Sequence, residues 1–426
     1  MAEKKSLTER FTDVIMDKVA GPIATFSNYK IMLVIREGLI AVMPVIIIGS
    51  SFLLLYVVAS PSIGTSGKPL VEFLAPYAGQ FIIAFQLTMG LTALYASLTF
   101  SYIFGKVYKL NQLSLAVLGV SSFILLTINS TANGAISIGN FGGGGLFVAL
   151  IASLVSSYIF KFCVEKHLII KMPAGVPQGI GDAFSALIPF AISFLLLWGV
   201  RTIGNIDVSL FIGNLVAPLF SAADNIMVYT VRVFISLTFW SIGIHGDSIL
   251  MPVLTPAYLT WLTGNATAAA AGTPLNQLPY IWTQSFERTT VYTASMWGLM
   301  FWQLISRRKN HRTLAIASLP SAACCIIEPI VFGTPVVMNG LLMIPWILSG
   351  TISSFLCYLF MTLGITNRFF VDLPWATPSP ILAVVSSGGD WRNLALIVIS
   401  FATGVLVYMP FFKALEKQEE ANFVKE

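Results

Sequence analysis

The amino-acid sequence predicts an all-α polytopic membrane protein of about ten transmembrane helices with amphipathic surface helices, and three observations carry that prediction. Of 426 residues, 56% are hydrophobic and only 10% are charged, with a mean hydropathy of +0.82, far from the composition of soluble domains. Apolar stretches long enough to cross a hydrocarbon core of about 30 Å as helices recur from residue 31 to residue 412. Lys and Arg gather in short segments between those stretches, as they do in cytoplasmic turns.

In chain order, residues 1–30 carry Lys4, Lys5, Glu9, Arg10, Asp13, Asp17 and Lys18 without a signal-peptide apolar region or a small-residue cleavage site. They read as a mature cytoplasmic N-terminus, with an amphipathic surface helix over 7–29. Crossings are expected over 31–58, 80–104, 113–129, 145–162, 183–203, 226–243, 249–263, 288–305, 337–362 and 393–412. Arg36 and Glu37 start the first of them near the cytoplasmic face. The segments KVYK (106–109), KFCVEKHLIIK (161–171), SRRKNHR (306–312) and the end from Lys413 to Lys417 mark cytoplasmic turns, whereas 61–79 and 264–280 are almost uncharged. Both termini are therefore expected in the cytoplasm. The organisation is an N-terminal segment (1–30), membrane halves over 31–203 and 204–412, and a cytoplasmic tail (413–426). A net charge of +5 is read as orientation signal, so no nucleic-acid partner is expected. Cys163, Cys324, Cys325 and Cys357 lie in or beside apolar runs without metal-ligand spacing. They read as buried thiols, and the adjacent pair is too close for an ordinary disulfide.

Hydropathy is interrupted at 313–336 and 363–392. Irregular backbone at membrane depth survives only where it is buried in protein or lines a wet cavity, so broken segments are candidate ligand sites. Three stand out: SIGIHGDSIL (241–250), CCIIEPIVFGTPVV (324–337) and DLPWATPSPILAVVSSGGDW (372–391). In the first, Gly243 and Gly246 flank His245 and allow a turn or the close approach of a ligand. In the second, Pro329 disfavours helical geometry at Glu328 and predicts a carboxylate where a helix stops. The bland reading of His245 is an interior histidine bonding a carbonyl, and that of Glu328 a cap or a partner for Arg288 or Arg232, but a functional role is favoured for each. Ionisable groups within a membrane are costly and tend to mark pathways, and each here sits beside a helix breaker. A carboxylate and an imidazole together suit hydroxyl groups, since one accepts and the other does both. Trp375 reads equally as an interfacial belt residue and as a stacking platform for a sugar ring; Trp240 has the same two readings and leans to packing. The glycine-rich stretch 130–146 lacks the Lys of a phosphate-gripping loop and reads as an external loop or a lid, with Asn133 and Gly134 as minor candidates for ligand contact.

With these motifs the chain resembles the membrane-spanning IIC component of the bacterial sugar phosphotransferase system, lactose/cellobiose/diacetylchitobiose family. The resemblance rests on IREGLIAVMPVIIIGS near the start, KMPAGVPQGIGDAFSALIPF (171–190), GIHG (243–246), IIEPIVFGTPVVMN (326–339) and PWATPSPILAVVSSGGDWRN (374–393). It implies a homodimer of about ten-spanning protomers in the bacterial plasma membrane. The N-terminal half would supply much of the dimer contact, and re-entrant hairpins of the C-terminal half would surround the sugar. The resemblance carries sugar contacts to His245 and Glu328 and the tryptophan of the WxTP motif to Trp375. Phosphate comes in such systems from a phosphocysteine on a cytoplasmic IIB domain, recharged through IIA and a histidine phosphocarrier. No domain with a reactive cysteine follows residue 412, so a separate IIB of the cellobiose or diacetylchitobiose type is expected, with no metal and no cofactor.

The function implied is import of a β-linked disaccharide and its presentation to phospho-IIB, with Glu328 orienting the acceptor hydroxyl and accepting its proton and His245 as a second anchor. A proton-coupled sugar symporter, with His245 and Glu328 as the proton site, is the alternative. An intramembrane hydrolase lacks a Ser/His/Asp or HExxH pattern, and a structural scaffold leaves ionisable residues at broken helices unexplained.

Overall fold

The computed structural model describes residues 29–60, 69, 71–127, 139–173, 176–204, 206–243, 245–334, 336–337 and 339–423. The expected surface helix over 7–29 lies outside the described residues. Those described form helices and loops without a strand, and six helices among them are long and apolar enough to span a membrane: Lys30–Ala59, Glu72–Tyr108, Leu146–Glu165, Gln178–Thr202, Leu341–Thr362 and Trp391–Glu420. Gln112–Thr127 and Ile226–Ser241 are shorter apolar helices.

The first layer holds α1 (Lys30–Ala59), α2 (Ala78–Leu87), α3 (Thr92–Tyr108), α4 (Gln112–Thr127), α5 (Leu146–Glu165) and α6 (Gln178–Thr202). The crossing expected over 80–104 is broken between α2 and α3 by a short 3-10 turn, Met89–Leu91. Helices α3, α4 and α5 pack on one another, α1 on α3, and α6 on α4 and α5. Their core is built from Leu39, Val42, Leu53, Phe100, Phe104, Leu115, Leu118 and Phe160. Lipid offers no hydrophobic gain for helix association, so close approach and hydrogen bonds must supply it. Ser153 of α5 accordingly donates to the Ser97 carbonyl of α3 (3.0 Å).

Helix α7 (Val208–Ala223) was not among the expected crossings; Asn214 and Pro218 interrupt its hydropathy. The second layer holds α8 (Ile226–Ser241), α9 (Gly246–Ala270), α10 (Gln284–Tyr292), α11 (Gly298–Ile305), α12 (Lys309–Ala323), α13 (Glu328–Gly333), α14 (Gly340–Thr362), α15 (Ser379–Val385) and α16 (Leu394–Phe423). The crossing expected over 288–305 is α10 and α11 joined by a π-helical turn, Thr293–Trp297. Helix α16 runs on to Phe423, so most of the expected tail continues the last helix. In the loop before α16, burial works against ionisation of Asp390, but hydrogen bonds from Arg392 and the Asn367 N–H hold its carboxyl below the usual range. Tyr229, Val233, Leu237, Trp282, Phe286, Leu299, Trp346 and Tyr408 form the second core.

Helix α9 belongs to both layers. Leu259 and Leu262 enter the first core, while Tyr258 and Trp261 enter the second, so two adjacent stripes of one helix serve the two cores. Asn265 Nδ2 fastens its far end by donating to the carbonyls of Tyr280 and Phe369, both at 2.8 Å, and Asp224, just before α8, accepts the N–H groups of Ile281 and Trp282, both at 2.9 Å. The chain thus enters α10 from a pinned segment.

One close helix approach is between α16 and the π-turn and start of α11, where a Cβ on Gly404 would sit 2.2 Å from the Ala294 carbonyl oxygen. Backbone cannot yield as a flexible side chain can, so Gly404→Ala should cost about 1–3 kcal/mol through overpacking and lower the unfolding temperature in detergent. At Gly199 of α6 an added Cβ meets nothing within 4 Å, and Gly199→Ala should leave that temperature unchanged or raise it, by up to about 1 kcal/mol of helix propensity. Equal losses in both variants would show that the Gly404 contact does not limit packing.

Candidate functional site

Ionisable groups converge where the starts of two helices meet the middle of a third. Arg232, in the middle of α8, is buried. Asp247 lies in the first turn of α9 and Glu287 in the first turn of α10, where the helix dipole favours negative charge. Arg232 Nη1 donates to Glu287 Oε1, and its Nη2 donates to Asp247 Oδ1 at 2.8 Å. Each carboxylate is then completed by neutral donors. Tyr258 OH (2.5 Å) and Trp282 Nε1 (3.4 Å) donate to Glu287, and Ser236 Oγ (2.9 Å) and Tyr292 OH donate to Asp247. Buried charges persist when paired and hydrogen-bonded in this way.

Above this network lies a cavity of about 160 Å³ lined by Trp240, His245, Asp247, Met251, Gln284, Glu287, Arg288, Tyr292, Cys325, Ile327 and Trp375. His245 is exposed toward it, and its ring lies against the buried Trp240 indole, with centroids 4.2 Å apart and planes inclined at 45°. The turn that delivers it needs its glycines. Gly243 has φ +85°, and a Cβ on Gly246 would fall 2.3 Å from the Ser236 carbonyl oxygen of α8. Gly246 is therefore a packing glycine that lets α9 start directly against α8.

In the same cavity lining, Trp375 is 60% exposed on a turn between Pro374 and Pro378. That turn hangs from Arg288, whose Nη2 donates to Asp372 Oδ1 at 2.6 Å and to the Leu373 carbonyl at 3.1 Å. Gln284 and Arg288 are one helical turn apart on α10 and face the same space. Aromatic surfaces and hydrogen-bond acceptors and donors lining one cavity are the combination a polyhydroxylated, partly apolar ligand needs.

The structure brings His245, Trp240 and Trp375 to one cavity. Glu328 opens α13, with Pro329 in the first turn, so a helix starts there instead of stopping; proline is well placed in a first turn because its missing N–H would be unsatisfied anyway. The Glu328 side chain lies outside the described part of the structure, but Cys325 and Ile327 just before it line the cavity. Arg232 and Arg288, the partners the sequence offered Glu328, pair with Asp247, Glu287 and Asp372. Asn133 and Gly134 lie outside the described residues. Among the described residues no group of three or more His, Cys, Asp or Glu could hold a metal. The cysteines are all free, but only Cys163 and Cys357 are buried; Cys324 and Cys325 are half-buried, because the chain leaves α12 beside the cavity instead of continuing into the core. Sequence reasoning missed Asp247, Gln284, Glu287, Arg288, Tyr292 and Asp372 as site residues. The available signal was an arginine within an apolar crossing and an adjacent Glu287–Arg288 pair at the start of another, since such charges require partners at the same depth.

A family model described as "Phosphotransferase system, EIIC" matches residues 36–350. The chain is 30% identical over 398 residues to the lactose-specific EIICB component of the phosphotransferase system of Streptococcus mutans, covering 91% of this chain and 70% of that one. It is 28% identical over 435 residues to the lichenan permease IIC component of Bacillus subtilis, covering 96% and 94%. Among solved structures it is similar to the transporter ChbC, the IIC component from the N,N'-diacetylchitobiose-specific phosphotransferase system, with a TM-score of 0.85 at 28% identity over 97% of this chain and 99% of that one. A match running from the first crossing into α14, on a helical fold shared almost end to end with a solved IIC transporter, places this chain in the phosphotransferase system EIIC family as a membrane permease component.

Proposed function

We propose that the chain imports a β-linked disaccharide of the cellobiose or diacetylchitobiose type and presents it to a cytoplasmic phospho-IIB protein. The observation that carries this reading is the cavity lined by the Trp240–His245 pair, Trp375, Asp247, Glu287 and Arg288, with Ile327 before the start of α13 also lining it. Aromatic faces take the apolar faces of pyranose rings, and the charged and amide groups take hydroxyls. Relatives named for lactose and lichenan and a structural neighbour named for diacetylchitobiose support a β-linked sugar.

In this mechanism the permease binds, carries and positions. The sugar hydroxyl attacks the phosphorus of the IIB phosphocysteine, the P–S bond breaks as the P–O bond forms, and Glu328 takes the hydroxyl proton. Holding the two reactants in line replaces translational entropy. Gly246 contributes by placing His245. The N-terminal half (31–203) is assigned the homodimer contacts and the C-terminal half (204–412) the sugar site, with IIA acting only through IIB.

Thermal-shift and equilibrium binding with a panel of β-linked disaccharides should show stabilisation by cellobiose or N,N'-diacetylchitobiose; uptake driven by a pH gradient in liposomes without IIB would replace this reading with a symporter. Glu328→Gln should weaken sugar binding by at most about 1.5–3 kcal/mol, since glutamine still accepts a hydrogen bond. Single-turnover transfer from phospho-IIB should fall further, by about a hundredfold to ten-thousandfold, if the carboxylate is the base. His245→Ala should lose binding first. Equal losses of binding and transfer in Glu328→Gln would make Glu328 an anchor only.

The same reading requires SRRKNHR on the cytoplasmic side, near the docking IIB. A single cysteine at position 309 should be labelled by an impermeant maleimide only after the cytoplasmic face is opened. Labelling from outside would reverse the topology and remove transfer from IIB.

A further inference from the structure

Three non-glycine residues among those described hold a left-handed backbone: Lys109 (φ 58°), His167 (φ 56°) and Cys325 (φ 60°). Each follows a helix end, and Cys325 closes α12, with its N–H on the Ala322 carbonyl and the Ile326 N–H on the Ser321 carbonyl, at 3.0 and 2.9 Å. Lys109 and His167 are exposed, whereas Cys325 lines the site cavity. Such a cap favours glycine or asparagine, because a Cβ is disfavoured in this conformation. Helix termination therefore gives no reason for a thiol at this position.

The side-chain contacts supply one. Cys325 Sγ donates to the Thr377 carbonyl at 3.3 Å and lies 3.3 Å from Ser379 Oγ, which in turn lies 3.5 Å from the Arg288 carbonyl oxygen. Thr377 closes the turn that carries Trp375, through its N–H and its hydroxyl on the Pro374 carbonyl at 2.9 and 2.7 Å. That turn thus has an attachment on each side: Arg288 holds Asp372 and Leu373 before it, and Cys325 holds Thr377 after it. We propose that Cys325 is a positioning residue of the sugar site, whose thiol clips the Trp375 turn to the end of α12 and so sets the stacking face of Trp375 against the segment that opens at Glu328. The backbone strain at Cys325 persists because the residue is retained for its side chain, in keeping with the concentration of strained backbone at ligand clamps. The inference rests on the reading of Trp375 as a sugar platform.

The test uses the full chain in detergent with Cys325→Gly and Cys325→Asn. It reads the unfolding temperature, hydrogen exchange of peptides covering 373–379, and the Kd for cellobiose and for N,N'-diacetylchitobiose. Glycine accepts the left-handed backbone but removes the thiol. Cys325→Gly should therefore unfold at the same or a higher temperature, exchange faster over 373–379, and bind sugar roughly threefold to tenfold more weakly, the size of one modest hydrogen bond. Asparagine tolerates the same backbone and carries an amide donor, so Cys325→Asn should restore both exchange and Kd toward the parent values. A lower unfolding temperature with unchanged exchange over 373–379 would make Cys325 a packing group and overturn the proposal, as would faster exchange with an unchanged Kd. If exchange responds as expected but the parent protein binds neither sugar, the clip stands and the sugar assignment falls.

Discussion

The second layer is organised around one buried cation. Arg232 enters an apolar crossing, and a guanidinium at that depth is tolerated only with counter-charges beside it. Its two carboxylate partners come from the first turns of α9 and α10, so satisfying one charge fixes the relative positions of three helices. Their neutral donors then add constraints: Ser236 from α8, Tyr258 from α9, Tyr292 from α10 and Trp282 from the segment before it. The cavity floor is in this sense a consequence of arginine satisfaction. His245 stands two residues before Asp247 and Arg288 one residue after Glu287, so both are aimed by the same pairings.

A second pairing, Arg288 with Asp372, transmits that order to the loop bearing Trp375. Asp372 is tied back to α1 as well, since Ser50 Oγ donates to the Asp372 carbonyl at 3.0 Å. The site is therefore joined to the first layer through α1 at one end and through α9 along its length. Two cores that share α9 can shift relative to each other only by moving elements that also carry site residues, which couples any rearrangement of the layers to the shape of the cavity.

Glycine and serine do in the helix bundle what large apolar side chains do in water-soluble cores. Gly404 against Ala294, Gly119 against Ser101 and Gly246 against Ser236 each admit backbone to within contact distance, and hydroxyls such as Ser353 and Ser400, 2.8 Å apart, bond across the gap. Close approach is the available source of cohesion where the solvent is itself apolar.

The class of fold and most crossings were legible because hydropathy acts over whole helices and needs no tertiary partner: α1, α5, α6 and α14 lie within a few residues of their expected spans. His245 and Trp375 were legible as candidates because glycine and proline beside a polar or aromatic residue break a helix wherever it packs. The breaks inside apolar runs were not legible, since the 3-10 turn at Met89–Leu91 and the π-turn at Thr293–Trp297 carry no composition signal and depend on neighbouring helices to accept freed backbone groups. Glu328 shows the same limit, because Pro329 marks a boundary without saying on which side the helix lies. The partners of Arg232 and Arg288 were decided only by tertiary structure. Sequence requires that a buried charge have a counter-charge, but Glu287, Asp247 and Asp372 lie 55, 15 and 84 positions from the arginines they meet, and proximity across such separations is set by how the helices pack.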